Sequence, residues 1–410
     1  MKILIAAISI LLFISNAFAA NDIKLGGSLD TYGAGYFQRS GGLYGEARFK
    51  PKLTSTMSEN SLLYLEGDLR LDTADYSQGV INGLTDRKKE RSVVGIKEAY
   101  AELDQKWLRL RAGKQIFDWS VTDTVSPADN LNPRDWTDVI RWERMGVPSA
   151  SLRLGYDNYL EFVYVPLFTP SRLPSAGSRW ERDMPQGLKY VEQEVVSRNH
   201  GQFGARGIVI WNGFDLGASY FHGYGYSPSV KIASVSAIET VLTPVYYRED
   251  VYTASVAKGI SGFNIRAEAG YFRQDKRDDF VQHVTGVDKE WNNVFDGTGS
   301  LYMLIQYANE IKVQKDNPTK FDIIDFRRGL NNAILGKIKY NFDDKESWAL
   351  KLEGSYNLGA HDNYIEPALV WKKGNVTAET GVGIISGQPD TFWGGYSRND
   401  RVFTKVAWKF

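Results

Sequence analysis

The segment 402–410 alternates between two kinds of side chain. One set holds Phe410, Trp408, Val406, Thr404 and Val402, and the other holds Lys409, Ala407, Lys405 and Phe403. A period of two puts these sets on opposite faces of a β-strand. An apolar face, a terminal aromatic residue and a wet face favour the wall of a membrane-spanning β-barrel. The alternative is an amphipathic edge strand of a soluble sheet.

The same alternation recurs along the chain. Between 63 and 72, a face of four leucines and Gly67 opposes Tyr64, Glu66 and Asp68, and Asn212-Gly213 is a strong hairpin signal between two such stretches. The pattern predicts seventeen strands by inspection. A barrel whose two chain ends share one side needs an even number, and the weak candidate 320–326 supplies one more strand. We therefore predict an all-β fold, a transmembrane antiparallel β-barrel of about 18 strands, with 16 as the alternative.

The amino terminus has the layout of a secretory signal peptide. Met1-Lys2 precedes an apolar run from Ile3 to Ile14, and a small-residue site ends at Ala19. The run is too short to span a membrane as a helix. We expect cleavage after Ala19, with Ala20 as the alternative, which leaves 20–410 as a single outer-membrane β-barrel domain.

Composition excludes several classes of protein. The chain has no Cys, which rules out disulfides, thiolate metal sites and covalently attached c-type haem, so no cofactor is expected. Formal charge balances at +0, whereas a nucleic-acid binder should be clearly basic. Mean hydropathy is −0.34, too polar for a helical membrane protein.

Long polar stretches separate some of the predicted strands, whereas short turns separate others. The long stretches are 73–92, 118–147, 167–201, 224–246 and 273–299. Long connections at one end and short ones at the other are typical of barrels with extracellular loops and periplasmic turns. Tryptophans and tyrosines near strand ends, such as Trp211 and Tyr356, fit the aromatic girdles of such barrels.

The polar faces of the predicted strands should line a water-filled lumen. The residues expected there are Arg48, Lys50, Lys52, Arg70, Arg109, Arg111, Gln115, Arg153 and Arg266. Acidic residues on the same faces nearly balance them. A ring of fixed positive charge attracts anions in a narrow pore. The alternative is that these cations form cross-strand ion pairs within the wall.

The loop 118–147 is the most distinctive stretch of the chain. It contains Asp123, Asp129, Asn132 and Asp135 among prolines and other turn formers. Asp and Asn side chains bond to their own backbone, and Pro fixes φ, so such a loop orders itself. We expect it to fold inward as a constriction; a rigid extracellular cap is the alternative.

Several of these motifs resemble a known family. Gly113-Lys114-Gln115, Trp119 with Thr122-Asp123, Pro127-Ala128-Asp129 and Asn132-Pro133-Arg134-Asp135 are similar to segments of porin-like outer-membrane barrels of the alginate-export type. The resemblance covers about 95–175 and, more faintly, 364–410. It implies an 18-stranded barrel with passive transport, in which Arg109, Arg111 and Gln115 face the lumen and Asp123, Asp129 and Asp135 belong to a structured loop.

Catalysis and metal binding are poorly supported. The chain has only four His and no G-x-S-x-G elbow, so a Ser-His-acid site is not expected. Asp275, Asp278 and Asp279 could hold Ca²⁺, but Lys276 and Arg277 make a self-neutralising loop the better interpretation.

Two hypotheses remain. The first is a porin in outer-membrane lipid that passes small polar or anionic solutes by diffusion. The second is a barrel scaffold around a partner such as a periplasmic multihaem cytochrome. Stacking of sugar rings on Trp119, Trp136, Trp142 or Trp180 is a further option for the loops.

Overall fold

The structure of the protein is a computed structural model. It describes residues 22–38, 42–74, 76–77, 91–175, 177–182, 188–191, 201–236, 238–275, 277–295, 297–314 and 328–410. The expected signal peptide 1–19 and the strand candidate 320–326 lie outside the described residues.

Eighteen strands form one closed antiparallel sheet, which confirms the predicted fold class. The barrel strands are β1 (Asp22–Tyr36), β2 (Leu43–Ser58), β3 (Ser61–Asp72), β4 (Val94–Gln105), β5 (Leu108–Gln115), β8 (Val147–Gly155), β9 (Tyr159–Val165), β11 (Gln202–Trp211), β12 (Phe214–Tyr224), β15 (Arg248–Ile260), β16 (Phe263–Gln274), β17 (Asp279–Val294), β18 (Gly299–Gln314), β19 (Ala333–Asn341), β20 (Trp348–Asn357), β21 (Asn363–Lys373), β22 (Val376–Ser386) and β23 (Arg401–Lys409). Each pairs with the next barrel strand along the chain, and β1 pairs with β23 to close the sheet.

Shorter elements lie in the connections at one end of the barrel. They are β6 (Arg134–Asp135), β7 (Glu143–Arg144), β10 (Leu188–Tyr190), β13 (Ser229–Val235), β14 (Thr240–Val245) and a 3₁₀ helix, Gly394–Asn399. Strands β6 and β7 pair with each other, and β10, β14 and β13 form a small sheet. Within the described ranges, no helix combines the length and the apolar character needed to cross a membrane.

At the opposite end of the barrel, tight turns connect neighbouring strands. Between β11 and β12, Asn212 has φ 50° and Gly213 has φ 73°. These paired positive φ values are what a two-residue hairpin turn requires, and Asn-Gly accepts them at low cost. The turn therefore fixes the register in which Trp211 pairs with Phe214.

The outer face of the barrel is apolar although it is exposed. On β20, Leu350 and Leu352 are 52% and 42% exposed, whereas the inward Ala349 and Ser355 are buried. A soluble sheet places its apolar face against a core, so this arrangement is the reverse of a soluble protein and suits a hydrocarbon surrounding.

Aromatic residues border the apolar outer face at both ends. On β11 the two ends carry Trp211 and Phe203, and on β20 they carry Trp348 and Tyr356, all of them exposed. Each pair is separated by about 26 Å along its strand at ~3.3 Å per residue, and strand tilt shortens this to roughly 20 Å across a bilayer. The spacing fits two girdles that flank a lipid-facing band.

The assignment of 273–299 to a loop is wrong, because most of it forms β17. This strand pairs with β16 and β18 and supplies the eighteenth strand. Its inner face carries Phe280 and Val284, both fully buried, and Val284 packs with Val125 from the connection between β5 and β8. Apolar residues on both faces conceal the alternation, so the sequence pattern did not reveal this strand.

Candidate functional site

The connection between β5 and β8, residues 116–146, crosses the interior of the barrel; we refer to it as the inward loop. The indole Nε1 of Trp119 donates to Glu161 on β9 at 2.9 Å. Asp123 accepts a bond from Arg266 on β16 at 2.9 Å, and Glu143 accepts from Arg70 on β3 at 2.5 Å. Strands β3 and β16 are far apart in the closed sheet, so the inward loop lies within the lumen.

One wall carboxylate fixes the first part of the inward loop. Glu268 on β16 is 2% exposed. It accepts hydrogen bonds from the hydroxyls of Ser126 at 2.6 Å and Thr122 at 3.1 Å, and from the backbone N–H of Val121. A buried carboxylate with several donors holds its partners firmly. The partners of Glu268 lie far away along the chain, so the sequence pattern did not reveal this role.

Asn132 and Asp129 order the inward loop internally. The Asn132 side chain accepts from the Phe117 backbone at 2.7 Å and donates to the Met145 carbonyl at 2.7 Å, so it ties the two arms of the loop together. Asp129 accepts from Arg134 at 2.9 Å and Arg144 at 2.8 Å.

Asp135 is a deeply buried charge of the inward loop. It is 3% exposed and accepts from Arg91 at 2.7 and 3.1 Å and from Arg172 at 3.2 Å. Burial alone would raise the pKa of the Asp135 carboxyl, but the guanidinium groups of Arg91 and Arg172 outweigh burial and hold this pKa well below its usual range. Asp135 therefore stays ionised as a fixed anchor.

A second anchor joins the inward loop to β2 and β3. Glu143 accepts from Arg48 at 2.9 Å and from Arg70 at 2.5 Å, and Arg48 also donates to Asp68 at 2.5 and 2.7 Å. Burial opposes ionisation of Glu143, yet Arg70 and Arg48 lower its pKa overall. Two of the cations expected to line the lumen thus hold the loop.

A third anchor involves Asp138 and Arg141, which lie between Asp135 and Glu143 along the chain. Arg141 donates to Asp138 at 2.9 Å and to Glu46 on β2 at 3.1 Å, and its guanidinium carbon lies 3.8 Å from the Tyr32 ring centroid. Burial alone would raise the pKa of Asp138, but the positive charges of Arg141 and Arg401 lower this pKa overall. The sequence analysis did not single out Asp138 or Arg141, since each needs a distant partner.

The other expected lumen cations also have carboxylate partners. Their ion pairs are Lys50–Asp30, Lys52–Glu66 at 3.3 Å, Arg109–Asp104 at 2.5 Å, Arg111–Glu102, Arg153–Glu161 at 3.7 Å and Arg266–Asp123 at 2.9 Å. The Gln115 side chain is 1% exposed and bonds to Ser149 and Ser151. The cations expected to line the lumen are therefore paired with carboxylates and do not form a ring of free charges.

A cavity of about 470 Å³ separates the inward loop from the wall formed by β16 to β21. Its charged and polar lining includes Asp123, Arg134, Lys337, Lys339 and Glu353. Its aromatic lining includes Trp136, Trp142, Tyr302, Tyr364, Phe392 and Trp393. In the part of the chain that the structure describes, no group of His, Cys, Asp and Glu is arranged to hold a metal ion.

Comparisons with known proteins identify the architecture of the chain through solved structures. No protein-family model matches the chain, and no curated protein matches it. Among solved structures, Pseudomonas aeruginosa OpdK with vanillate matches with 12% identity and a TM-score of 0.51, covering 95% of this chain and 98% of OpdK. A BenF-like porin from Pseudomonas fluorescens matches with 8% identity and a TM-score of 0.53, covering 95% and 98%.

A third match extends the likeness to another genus. Acinetobacter baumannii OccAB4 matches with 9% identity and a TM-score of 0.50, covering 95% of this chain and 98% of that one. At such low identities the likeness concerns the fold, and it does not single out the alginate-export type. These comparisons show that the chain has a porin-like β-barrel fold.

Proposed function

We propose that the chain is an outer-membrane channel through which small polar or anionic solutes diffuse passively. The observation that carries this proposal is the inward loop, which narrows the lumen to a solute-sized cavity lined by charged and aromatic side chains. A volume of about 470 Å³ lies within the ~300–1,000 Å³ range typical of small-molecule sites.

The exterior supports the proposed location. An exposed apolar face between two aromatic borders suits outer-membrane lipid, and signal peptide 1–19 would send the barrel domain 20–410 to the cell envelope. Tight turns such as Asn212-Gly213 would then face the periplasm, and the inward loop would enter from the extracellular side.

The proposal includes no catalytic step and no cofactor. The charged lumen residues form ion pairs that anchor the wall and the inward loop, and a nucleophile–base pair of the Ser-His type was not indicated by the sequence. Vanillate, present in the OpdK structure, is a suitable test solute, and a polyuronate would test the alginate-export resemblance.

The cytochrome-sleeve hypothesis gains no support from the lumen. A sleeve needs an interior wide enough for a folded partner, whereas Trp119, Asp123 and Glu143 of the chain's own loop reach opposite walls. We therefore retain the channel as the proposed function.

Single-channel recording tests the proposal. The chain without residues 1–19 would be refolded and inserted into a planar bilayer with a salt gradient across it. We expect stepwise openings with a reversal potential that reports the ion preference. A folded barrel that gives no conductance would contradict free diffusion.

A further inference from the structure

The cavity beside the inward loop has aromatic residues at its loop end. Trp136 and Trp142 lie with ring centroids 5.2 Å apart, and Phe392 and Trp393 lie 4.8 Å apart. The indole of Trp393 donates to the Ser355 hydroxyl at 2.8 Å, which places this aromatic group level with the upper part of β20. These rings therefore lie at the end of the cavity that is nearer the loops.

Charged side chains line the deeper part of the same cavity. Strand β19 runs away from the loops, so Lys337 and Lys339 lie below the aromatic group, and Glu353 lies below Ser355 on β20. The cavity is therefore mainly aromatic towards the loops and carries charged hydrogen-bonding groups towards the turn end.

These deeper charges neutralise one another. Lys337 lies 3.9 Å from Glu353, Lys339 lies 3.3 Å from Glu346, and Lys351 lies 2.7 Å from Glu379. On the loop side, Asp123 is bound by Arg266 at 2.9 Å. An anion that bound a lysine here would have to compete with a carboxylate that is already in place, so net charge gives little attraction to a small acid.

We infer that this cavity recognises an uncharged, ring-shaped, polyhydroxylated solute, that is, a small sugar. This inference rests on the proposed channel function and names its substrate class. A sugar ring has an apolar C–H face that can pack on an aromatic side chain, and its hydroxyls both donate and accept. Paired ammonium and carboxylate groups supply both kinds of partner without demanding a charge on the solute.

The test is the interruption of ionic current by sugars in single channels. The full mature chain would be recorded in about 1 M KCl, where surface charge is screened. Glucose and maltose would be added in turn, with sodium benzoate as a charged aromatic probe of similar size. We expect a saturable, concentration-dependent block by at least one sugar and a weaker effect of benzoate.

Two variants connect the block to the cavity. Trp142→Ala and, separately, Phe392→Ala should each weaken the apparent sugar affinity about two- to tenfold, the loss expected from one aromatic contact. Trp291→Ala is the matched control, because Trp291 belongs to β17 near the turn end and contacts Phe263 at the barrel exterior. The β-sheet circular-dichroism spectrum of each variant reports whether it has folded, and its sugar-free conductance gives the baseline for the block.

The outcomes separate the two proposals. Conductance without a saturable sugar block, or a block by benzoate alone, overturns the sugar inference and leaves the channel intact. An equal loss of block in Trp291→Ala also overturns the assignment to this cavity. Failure of every preparation to conduct, although folded, overturns the channel itself.

Discussion

Ion pairs between basic and acidic side chains occur on two sides of the lumen, and their roles differ. Near β2 and β3, the side chains of Arg70, Arg91 and Asp135 are only 4–5% exposed, and their ion pairs attach the inward loop to the wall. Beside β19 and β20, Lys337 and Glu353 are 41% and 34% exposed and face the cavity. Removing one partner of a buried ion pair strongly lowers the free energy of unfolding, whereas an exposed ion pair contributes little to it. The buried ion pairs therefore act as anchors of the inward loop, and the exposed pair is available for contact with a solute.

Loss of the Asp135 charge should have the largest effect. In Asp135→Asn, the buried guanidinium groups of Arg91 and Arg172 lose their counter-charge, and docking of the inward loop should weaken by about 3–5 kcal/mol. We expect a higher single-channel conductance and faster proteolysis of the loop. Asp104→Asn, in the pair with Arg109 whose side chains are both more than one-third exposed, is the control and should change neither. Unchanged conductance in Asp135→Asn would show that Asp135 is not an anchor.

Acid should release the inward loop only at low pH. Burial opposes ionisation of Asp135, Asp138 and Glu143, but neighbouring arginines lower the pKa of each in the folded state. A lowered folded-state pKa gives stability that is present above the unfolded pKa of about 4 and is lost as the pH falls through the folded pKa. Conductance should therefore stay constant from pH 7 to pH 5 and rise only below about 4. A step between pH 5 and 7 would contradict the assignment.

Substitution at the exposed pair should change selectivity but not stability. Glu353→Gln leaves Lys337 and Lys351 less compensated, so the anion-to-cation permeability ratio should rise about twofold, as expected for one charge acting over ~8 Å of water. Lys337→Gln should shift the reversal potential in the opposite direction. A loss of thermal stability in either variant would place this pair among the anchors.

The smallest effect is expected at Arg109 and Arg111. Each is about one-third exposed and paired with Asp104 or Glu102 near the turn end. Arg109→Ala and Arg111→Ala should each change unfolding free energy by less than about 1 kcal/mol and shift selectivity slightly towards cations. If either change abolished anion permeation, Arg109 and Arg111 would attract anions in spite of their ion pairs, as the hypothesis of a basic ring requires.

Residues whose environment is local were accessible from the sequence. Alternation on β3 predicted which side chains face outward, and Asn212-Gly213 predicted a hairpin, because both depend on neighbours along the chain. Asn132 could be placed in a self-ordered loop for the same reason.

Residues whose role depends on distant partners were not accessible. The pairing of Glu268 with Ser126, or of Arg141 with Glu46, follows from where the inward loop lies against the wall, and strand order alone does not fix that position. Phe280 and Val284 hid strand β17 for a related reason, since their inward faces pack on the loop instead of contacting water.

The seam between β1 and β23 has a consequence for assembly. Its register pairs Tyr36 with Arg401 and Ser28 with Lys409, so it joins the most distant strands of the described chain. Contacts of such long sequence separation are slow to form, because the intervening chain must first be ordered. Until they form, both edge strands expose unpaired backbone groups that can recruit other chains. The nascent protein is thus most prone to aggregate just before closure, and a variant that slows the seam should lower the yield of barrel without altering the finished structure.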